Sequence, residues 1–118
     1  MRTCVTRTFT FDSAHQLPWH PGKCRQLHGH TYRLEVSVEG PVGEQGIVCD
    51  FSDLEELVRR EVVDRYDHRY LNDIMPNPTA ELLAAEVWKR LEAAGPPLLR
   101  LVHLKLWETP DSAVELWP

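Results

Sequence analysis

The fold is decided by residues 30–39, which read His-Thr-Tyr-Arg-Leu-Glu-Val-Ser-Val-Glu. Apolar and polar side chains alternate along this stretch, and a period of two is typical of a half-buried β-strand. The apolar set consists of Tyr32, Leu34, Val36 and Val38. His28 and His30 share the parity of that set, so a strand that runs through them places both imidazoles at the end of the buried face.

The rest of the chain predicts two helices and further strands. Strands are predicted over residues 3–12, 47–51, 98–108 and 113–117. A first helix begins at Ser52, where Ser52 and Glu55 form a capping box, and it fades near residues 64–66. A second helix begins near Thr79, whose hydroxyl can cap its first turn, and it stops at Gly95.

Each of these elements has one apolar face. The first helix carries Leu54, Leu57, Val58 and Val62, and the second carries Leu83, Val87, Trp88 and Leu91. The strand over residues 98–108 turns Val102, Leu104 and Leu106 to one face, and Glu108 shares their parity. Because strands and helices do not alternate, the predicted fold is α+β, with an antiparallel sheet and helices on one face.

The composition predicts a single domain that covers residues 1–118. The formal net charge of −5 argues against a nucleic-acid partner. No apolar run approaches the ~18–20 residues that span a membrane. The three cysteines are odd in number, and no signal peptide is recognisable at Met1, so we expect reduced thiols in the cytoplasm.

Three histidines and a cysteine lie within one short stretch. On an extended chain the side chains of His28 and His30 leave the same face roughly 6.6 Å apart, and one zinc ion fits between two such rings. His15 adds a third ligand from the end of the preceding segment, and His20 is the alternative for that place. Three histidines without an obvious fourth ligand predict a catalytic zinc site with an open position.

Other interpretations of these residues stay open at this point. The histidines could be ordinary surface or turn residues. Cys24 lies in a polar, basic loop beside the expected cation, where a thiolate is favoured, so it is a base or nucleophile, a fourth zinc ligand, or an incidental thiol. Asp67 and His68 are adjacent, which is also common for a solvated pair. Glu108, if turned inward, needs a partner such as the guanidine-like edge of a ligand.

Six motifs carry a resemblance to a known family, and they follow its order along the chain. They are Phe11-Asp12-Ser13-Ala14-His15, Cys24-x-x-x-His28-Gly29-His30, Gly46-Ile47-Val48-Cys49-Asp50-Phe51, Asp67-His68-Arg69-Tyr70-Leu71-Asn72, Pro78-Thr79-Ala80-Glu81 and Trp107-Glu108-Thr109. With them the chain resembles the 6-pyruvoyl-tetrahydropterin synthase and 6-carboxytetrahydropterin synthase family nearly from end to end.

The resemblance implies the tunnelling fold, a four-stranded antiparallel sheet with two helices on one side. Family members form trimers whose sheets close a barrel, two trimers stack into a homohexamer, and the active sites lie between subunits. The three-residue gap between Cys24 and the His-Gly-His motif is similar to that of the bacterial 6-carboxytetrahydropterin synthases of queuosine biosynthesis. Those enzymes convert 7,8-dihydroneopterin triphosphate to 6-carboxy-5,6,7,8-tetrahydropterin and release triphosphate and acetaldehyde.

The resemblance also implies roles for single residues. His15, His28 and His30 hold zinc, Cys24 transfers protons next to the reacting carbon, and Asp67 and His68 tune or relay the proton. Glu108 is a catalytic residue that shares in the relay, and it also anchors the pterin edge together with Thr109. Lys23 and Arg25 are the nearby candidates for holding the triphosphate. The alternatives are a pyruvoyl-forming or other pterin lyase activity on the same fold, and a non-catalytic zinc-binding assembly module.

Overall fold

Two long strands form the centre of the fold, as seen in a computed structural model that describes residues 1–118. Strand β1 (Cys4–His15) and strand β2 (His28–Glu39) pair antiparallel along their whole length. The register runs from Cys4 opposite Glu39 to His15 opposite His28. The predicted strand over residues 30–39 therefore extends through His28, and the predicted strand over residues 3–12 extends to His15.

Three more strands complete the sheet, whose order is β3-β1-β2-β4-β5. They are β3 (Arg69–Tyr70), β4 (Arg100–Thr109) and β5 (Ser112–Leu116). β4 and β5 continue the antiparallel arrangement, which confirms the predicted four long strands. The two-residue β3 pairs parallel to β1 and was not predicted. It forms because the chain passes along the otherwise free edge of β1 on its way to the second helix.

Both predicted helices are present. Helix α1 (Phe51–Val58) continues through a π-helical segment (Arg59–Val63) into a last α-helical turn (Asp64–Tyr66), and α2 covers Ala80–Ala94. Thr79 caps α2 as predicted, because its hydroxyl accepts from Leu82 N at 3.2 Å.

Helix α1 begins earlier than expected. Its cap is Asp50, whose carboxylate accepts from Ser52 N at 2.8 Å and from the Ser52 hydroxyl at 2.6 Å. The predicted capping role of Ser52 is therefore wrong, because an Asp two residues upstream satisfies the free backbone N–H. The predicted strand over residues 47–51 is also wrong. That segment forms irregular turns, and Phe51 already belongs to α1.

A bulge in β4 changes which residue of that strand faces the core. Ser37 lies opposite His103, but Val38 lies opposite Leu101, so Val102 has no partner on β2. Leu101 is buried in place of the predicted Val102, while Leu104 and Leu106 are buried as predicted. A bulge inserts one residue, so the alternation of buried and exposed side chains shifts by one position. The shift cannot be seen in the sequence, because Leu101 and Val102 are both apolar.

The core lies between the helices and one face of the sheet. Twenty buried residues form it, among them the predicted apolar stripes of α1 and α2 apart from the half-buried Trp88. His15 lies at the end of this buried face and is 1% exposed. No helix is both long and apolar enough to cross a membrane.

Candidate metal centre and active site

The three predicted histidine ligands converge at one end of the β1–β2 pair. The possible ligand atoms of His15, His28 and His30 all lie within 4.8 Å of one another. The pairing of β1 and β2 brings the three rings together, because His15 lies directly opposite His28 and His30 follows two residues later on the same face. His20 lies outside the cluster, and its Nδ1 accepts from Gly22 N. Of the two candidates for the third ligand, His15 and not His20 lies in the cluster.

Backbone carbonyls orient two of the imidazoles. Nδ1 of His15 donates to Pro78 O at 2.8 Å, and Nδ1 of His28 donates to Gln26 O at 2.7 Å. Since a carbonyl oxygen only accepts, each Nδ1 carries the proton and each Nε2 carries a lone pair. Hydrogen bonds of this kind commonly orient histidines that bind metal through the other ring nitrogen.

The inner nitrogens fit a cation. Nε2 of His15 and Nε2 of His28 are 3.0 Å apart, and two facing lone pairs at this separation need a proton or a cation between them. A tetrahedral zinc ion with bonds of about 2.0–2.1 Å holds two nitrogens about 3.3 Å apart. Nε2 of His30 is buried and has no hydrogen-bond partner. Burial lowers the pKa of His30, which keeps this third ring neutral and its lone pair available.

Glu108 lies next to this cluster, as its inward parity predicts. Its two carboxylate oxygens are 3.7 Å from Nε2 of His30 and 4.0 Å from Nε2 of His15. The side chain is 26% exposed, so the carboxylate lies between the cluster and solvent-accessible surface without being fully buried. Burial raises the pKa of Tyr32 well above its ordinary value, and the charge of Glu108 adds to the rise.

Cys24 lies in a short 3₁₀ turn (Lys23–Arg25) of the loop between β1 and β2. Its thiol is free and half-buried, and it is not a member of the three-histidine cluster. The loop is fixed to the body of the protein, because Leu17 N donates to Cys24 O at 2.8 Å. The structure thus places Cys24 beside the histidine segment as an accessible thiol and does not place it as a fourth ligand.

Asp67 and His68 form a second site on the free edge of β1. Asp12 N donates to Asp67 Oδ1 at 2.9 Å, and His68 N donates to Asp12 O at 2.6 Å. His68 has a φ of 56°, a left-handed conformation that turns its ring back so that Nδ1 lies 2.9 Å from Asp67 Oδ2. No hydrogen bond or ion pair joins this pair to Cys24 or to the three imidazoles. Within one chain, the groups of the predicted proton relay are therefore not in direct polar contact.

The contact between Asp67 and His68 favours the charged form of each side chain. Mainly because Asp12 N donates to it, the pKa of Asp67 is lowered, and the hydrogen bond to Asp67 raises the pKa of His68 above 6.5. The contribution of His68 to stability is therefore present below its unfolded pKa and is lost as pH rises through the raised value. The contribution of Asp67 to stability is present above its unfolded pKa and is lost as pH falls through the lowered pKa of the folded state.

We expect Asp67→Asn to lower the pKa of His68 toward its ordinary value. The ring then loses its hydrogen bond to a carboxylate, and only the weaker attraction of Asp12 still favours its charged form. NMR titration of the imidazole C–H signals measures the shift, and His20, which has no carboxylate partner, is the internal control. An unchanged pKa of His68 in the variant would show that Asp67 does not tune it.

The remaining predicted site residues, Lys23, Arg25 and Thr109, form no hydrogen bond or ion pair with the histidine cluster. Lys23 and Arg25 are exposed and form no ion pair. The Thr109 hydroxyl donates to Asp111 Oδ1 at 2.8 Å, in the turn between β4 and β5. The structure adds Arg69, which forms no ion pair and lines a surface depression of about 530 Å³ together with His30, Thr31 and His68.

Sequence reasoning missed the residues that hold the loops in place. Asn72 bridges the loop after β1, because its Oδ1 accepts from Gln16 N at 2.9 Å and its Nδ2 donates to Gln16 O at 2.8 Å. Pro78 O orients His15. Asn72 and Pro78 do fall within the quoted motifs, and that was the one signal that could have marked them.

Comparison with known proteins agrees with this geometry. The family model described as 6-pyruvoyl tetrahydropterin synthase matches residues 4–118. The chain is 42% identical over 107 residues to the 6-carboxy-5,6,7,8-tetrahydropterin synthase of Synechocystis, covering 85% of this chain and 83% of the relative. It is 40% identical over 116 residues to the dihydroneopterin monophosphate aldolase of Pyrococcus furiosus, covering 98% of each.

A solved structure shows the same fold. The 6-pyruvoyl tetrahydropterin synthase of Caenorhabditis elegans superimposes with a TM-score of 0.86 at 25% identity, covering 100% of this chain and 96% of that one. The predicted α+β tunnelling fold is confirmed. By the extent of these matches, the chain belongs to the 6-pyruvoyl tetrahydropterin synthase family.

Proposed function

We propose that this protein is a zinc-dependent 6-carboxytetrahydropterin synthase. It converts 7,8-dihydroneopterin triphosphate to 6-carboxy-5,6,7,8-tetrahydropterin in queuosine biosynthesis, with uptake of water and release of triphosphate and acetaldehyde. The observation that carries the proposal is the convergence of three imidazoles whose open side faces a carboxylate. The family membership and the 6-carboxytetrahydropterin synthase relatives support a pterin substrate.

His15, His28 and His30 would hold the zinc ion. The orphaned Nε2 of His30 and the facing lone pairs of His15 and His28 support this choice. When bound, zinc supplies Lewis-acid polarisation of the substrate's side-chain oxygens. Since neither Cys24 nor any other thiol joins the three nitrogens, a position stays open for substrate, which disfavours a closed structural site with four protein ligands.

Glu108 binds the pterin ring in this proposal. The 2-amino group and N3 of a pterin present two parallel donors, and a carboxylate accepts such a pair bidentately. The partly buried position of Glu108 strengthens this recognition, because water competes less there. Thr109 follows Glu108 directly and lines the same end of β4.

Proton transfer is the task of Cys24, with Asp67 and His68 in support. As thiolate, Cys24 accepts a proton from the substrate carbon and returns it later. Asp67 can support the charged form of the His68 ring, because their hydrogen bond raises the pKa of His68 and lowers that of Asp67. Because this pair lies apart from Cys24 within one chain, we propose that a neighbouring copy contributes it.

A homohexamer made of two trimers accounts for this arrangement. The sheet has two edges, β5 and most of β1, that form no further pairs within one chain. Unpaired edges are a natural place for strands of another copy. Lys23 and Arg25 remain candidates for holding the triphosphate, and Arg69 of a neighbouring copy joins them. Cytoplasmic location is part of the proposal, since Cys24 must stay reduced.

Active-site complementation tests the shared site. We expect Cys24→Ala and His68→Ala to be nearly inactive alone and to regain activity when their subunits are mixed after dissociation, because a mixed interface then unites an intact Cys24 with an intact His68. The measurement is turnover of the mixture against the two separate variants, with each variant remixed with itself as control. No gain in the mixture would place both groups in one protomer's site.

A second candidate is another lyase reaction on a related pterin. The chain is 40% identical to a Pyrococcus furiosus protein named dihydroneopterin monophosphate aldolase. This similarity supports an aldolase reaction as the second candidate. Formation of a 6-pyruvoyl product, as the name of the Caenorhabditis elegans protein indicates, is the other alternative.

Product identification decides between these reactions. The zinc-loaded protein is incubated with 7,8-dihydroneopterin triphosphate, the pterin product is identified by mass spectrometry, and acetaldehyde is assayed in parallel. A 6-carboxy product with acetaldehyde supports the proposal. A pyruvoyl or hydroxymethyl product would retain the site and replace the reaction. No turnover with zinc bound would favour the assembly module.

A further inference from the structure

Tyr32 is an exception among the buried polar groups of the core. It is 0% exposed, and its hydroxyl has no hydrogen-bond partner. The other fully buried tyrosine, Tyr66, donates to Glu86 Oε1 at 3.0 Å. A buried hydroxyl left without a partner costs roughly 1–3 kcal/mol, so its retention beside the metal centre indicates a use.

The surroundings of the Tyr32 ring leave few possible acceptors. One side stacks on Phe11 at 5.2 Å between ring centroids and offers none. The rings of His15 and His30 pack edge-on at 6.4 and 5.6 Å. Their Nε2 lone pairs point at the metal site and are occupied when a cation binds there.

Glu108 is the candidate acceptor. The β2–β4 pairing ends with Arg33 opposite Trp107, so Tyr32 and Glu108 are the next residues of the two strands. The Glu108 carboxylate oxygens lie 4.0 and 3.7 Å from Nε2 of His15 and His30, the same two rings that pack against Tyr32. A tyrosine hydroxyl can donate one hydrogen bond to such a carboxylate.

We propose that Tyr32 is a positioning residue, whose hydroxyl donates to the Glu108 carboxylate when a metal occupies the three imidazoles. The carboxylate oxygens lie 3.7 and 4.0 Å from Nε2 of His30 and His15. With the metal bound, the phenol holds the carboxylate in the orientation that receives the pterin edge. This last step rests on the proposed function, whereas the hydrogen bond itself does not.

Tyr32→Phe tests the proposal, because it removes one oxygen and keeps the ring packing. We expect full zinc content and no loss of stability in the metal-free protein, which is relieved of an unpaired hydroxyl. Neopterin, an unreactive pterin followed by fluorescence quenching, is expected to bind about tenfold or more weakly, as for the loss of a hydrogen bond to a charged group. KM should rise by a similar factor with kcat little changed.

Tyr66→Phe is the matched control, since it removes a satisfied buried phenol away from the site. It should lower stability and leave neopterin binding unchanged. The wild-type protein must first be shown to bind neopterin and to turn over the substrate. If Tyr32→Phe then binds neopterin as tightly as the wild-type protein does, the positioning role is overturned.

A double-mutant cycle separates this proposal from the function. In zinc-loaded protein, the effects of Tyr32→Phe and Glu108→Ala on the denaturant midpoint are expected to be non-additive, and in metal-free protein additive, since alanine removes the acceptor. This readout needs no substrate, so it decides on the hydrogen bond even if the wild-type protein shows no turnover. Additivity in the zinc-loaded protein would overturn the hydrogen bond.

Discussion

Replacing Cys24 with alanine is expected to lower turnover by about 100- to 10,000-fold while the protein keeps its fold and its zinc. A positioned acid–base group contributes a factor of this size. Cys24 lies in the loop beside the histidines, half-buried and outside the cluster of ligand nitrogens. Its side chain forms no hydrogen bond that the fold depends on, so the loss should fall on kcat. Single-turnover product formation and metal analysis of the same sample measure both effects.

The matched control is Cys4→Ala. Cys4 is also a free thiol, but it begins β1 and lies eleven residues from His15 at the other end of that strand, a distance of about 36 Å. It should retain wild-type turnover. If Cys24→Ala stays fully active, Cys24 has no part in proton transfer. If it loses zinc together with activity, Cys24 is a ligand.

The second large effect is expected for His28→Ala. Two imidazoles hold zinc far less tightly than three, so the variant should be isolated with little zinc and should lose turnover to the same extent as the metal-free protein. His28 is only partly buried, and outside the histidine cluster its ring forms one hydrogen bond, to Gln26 O, so the metal-free fold should be nearly unchanged. A further sign is thermal stability. Zinc that binds the folded state raises the unfolding midpoint, and that rise should disappear in the variant.

His20→Ala is the control for this experiment. His20 lies in the same loop region and was the alternative third ligand from the sequence, but its ring contacts Gly22 N and lies outside the cluster. It should keep zinc and activity. Normal zinc content in His28→Ala, or loss of zinc in His20→Ala, would contradict the ligand set of His15, His28 and His30.

Much of the fold could be predicted because local patterns and tertiary packing agree. The alternation along β2 fixed both the strand and the face on which His28 and His30 lie, and the stripes of α1 and α2 are buried. The predictions failed where a residue distant in the sequence, or a competing neighbouring residue, determines the local structure. Asp50 caps α1 in place of Ser52, and the unpaired Val102 shifts which residues of β4 face the core. The short strand β3 forms because β1 has a free edge with which it can pair.

The candidate site divides in the same way. The histidine cluster follows from strand parity and register, so its residues could be read from spacing alone. Glu108 was expected to face inward for the same reason. Asp67 and His68 could be recognised as a pair, but no local pattern reports that a left-handed His68 holds them on the edge of β1, away from Cys24. Sequence spacing carries no information on which copy of a chain completes a site.

The most direct test of the central claim is a zinc titration of metal-free protein with 7,8-dihydroneopterin triphosphate as substrate. Formation of 6-carboxy-5,6,7,8-tetrahydropterin should rise in proportion to added zinc and level off at one ion per chain, and His28→Ala should show no such rise. Full turnover by the metal-free protein, or a plateau unrelated to one ion per chain, would contradict the assignment of the three histidines as the metal centre of this enzyme.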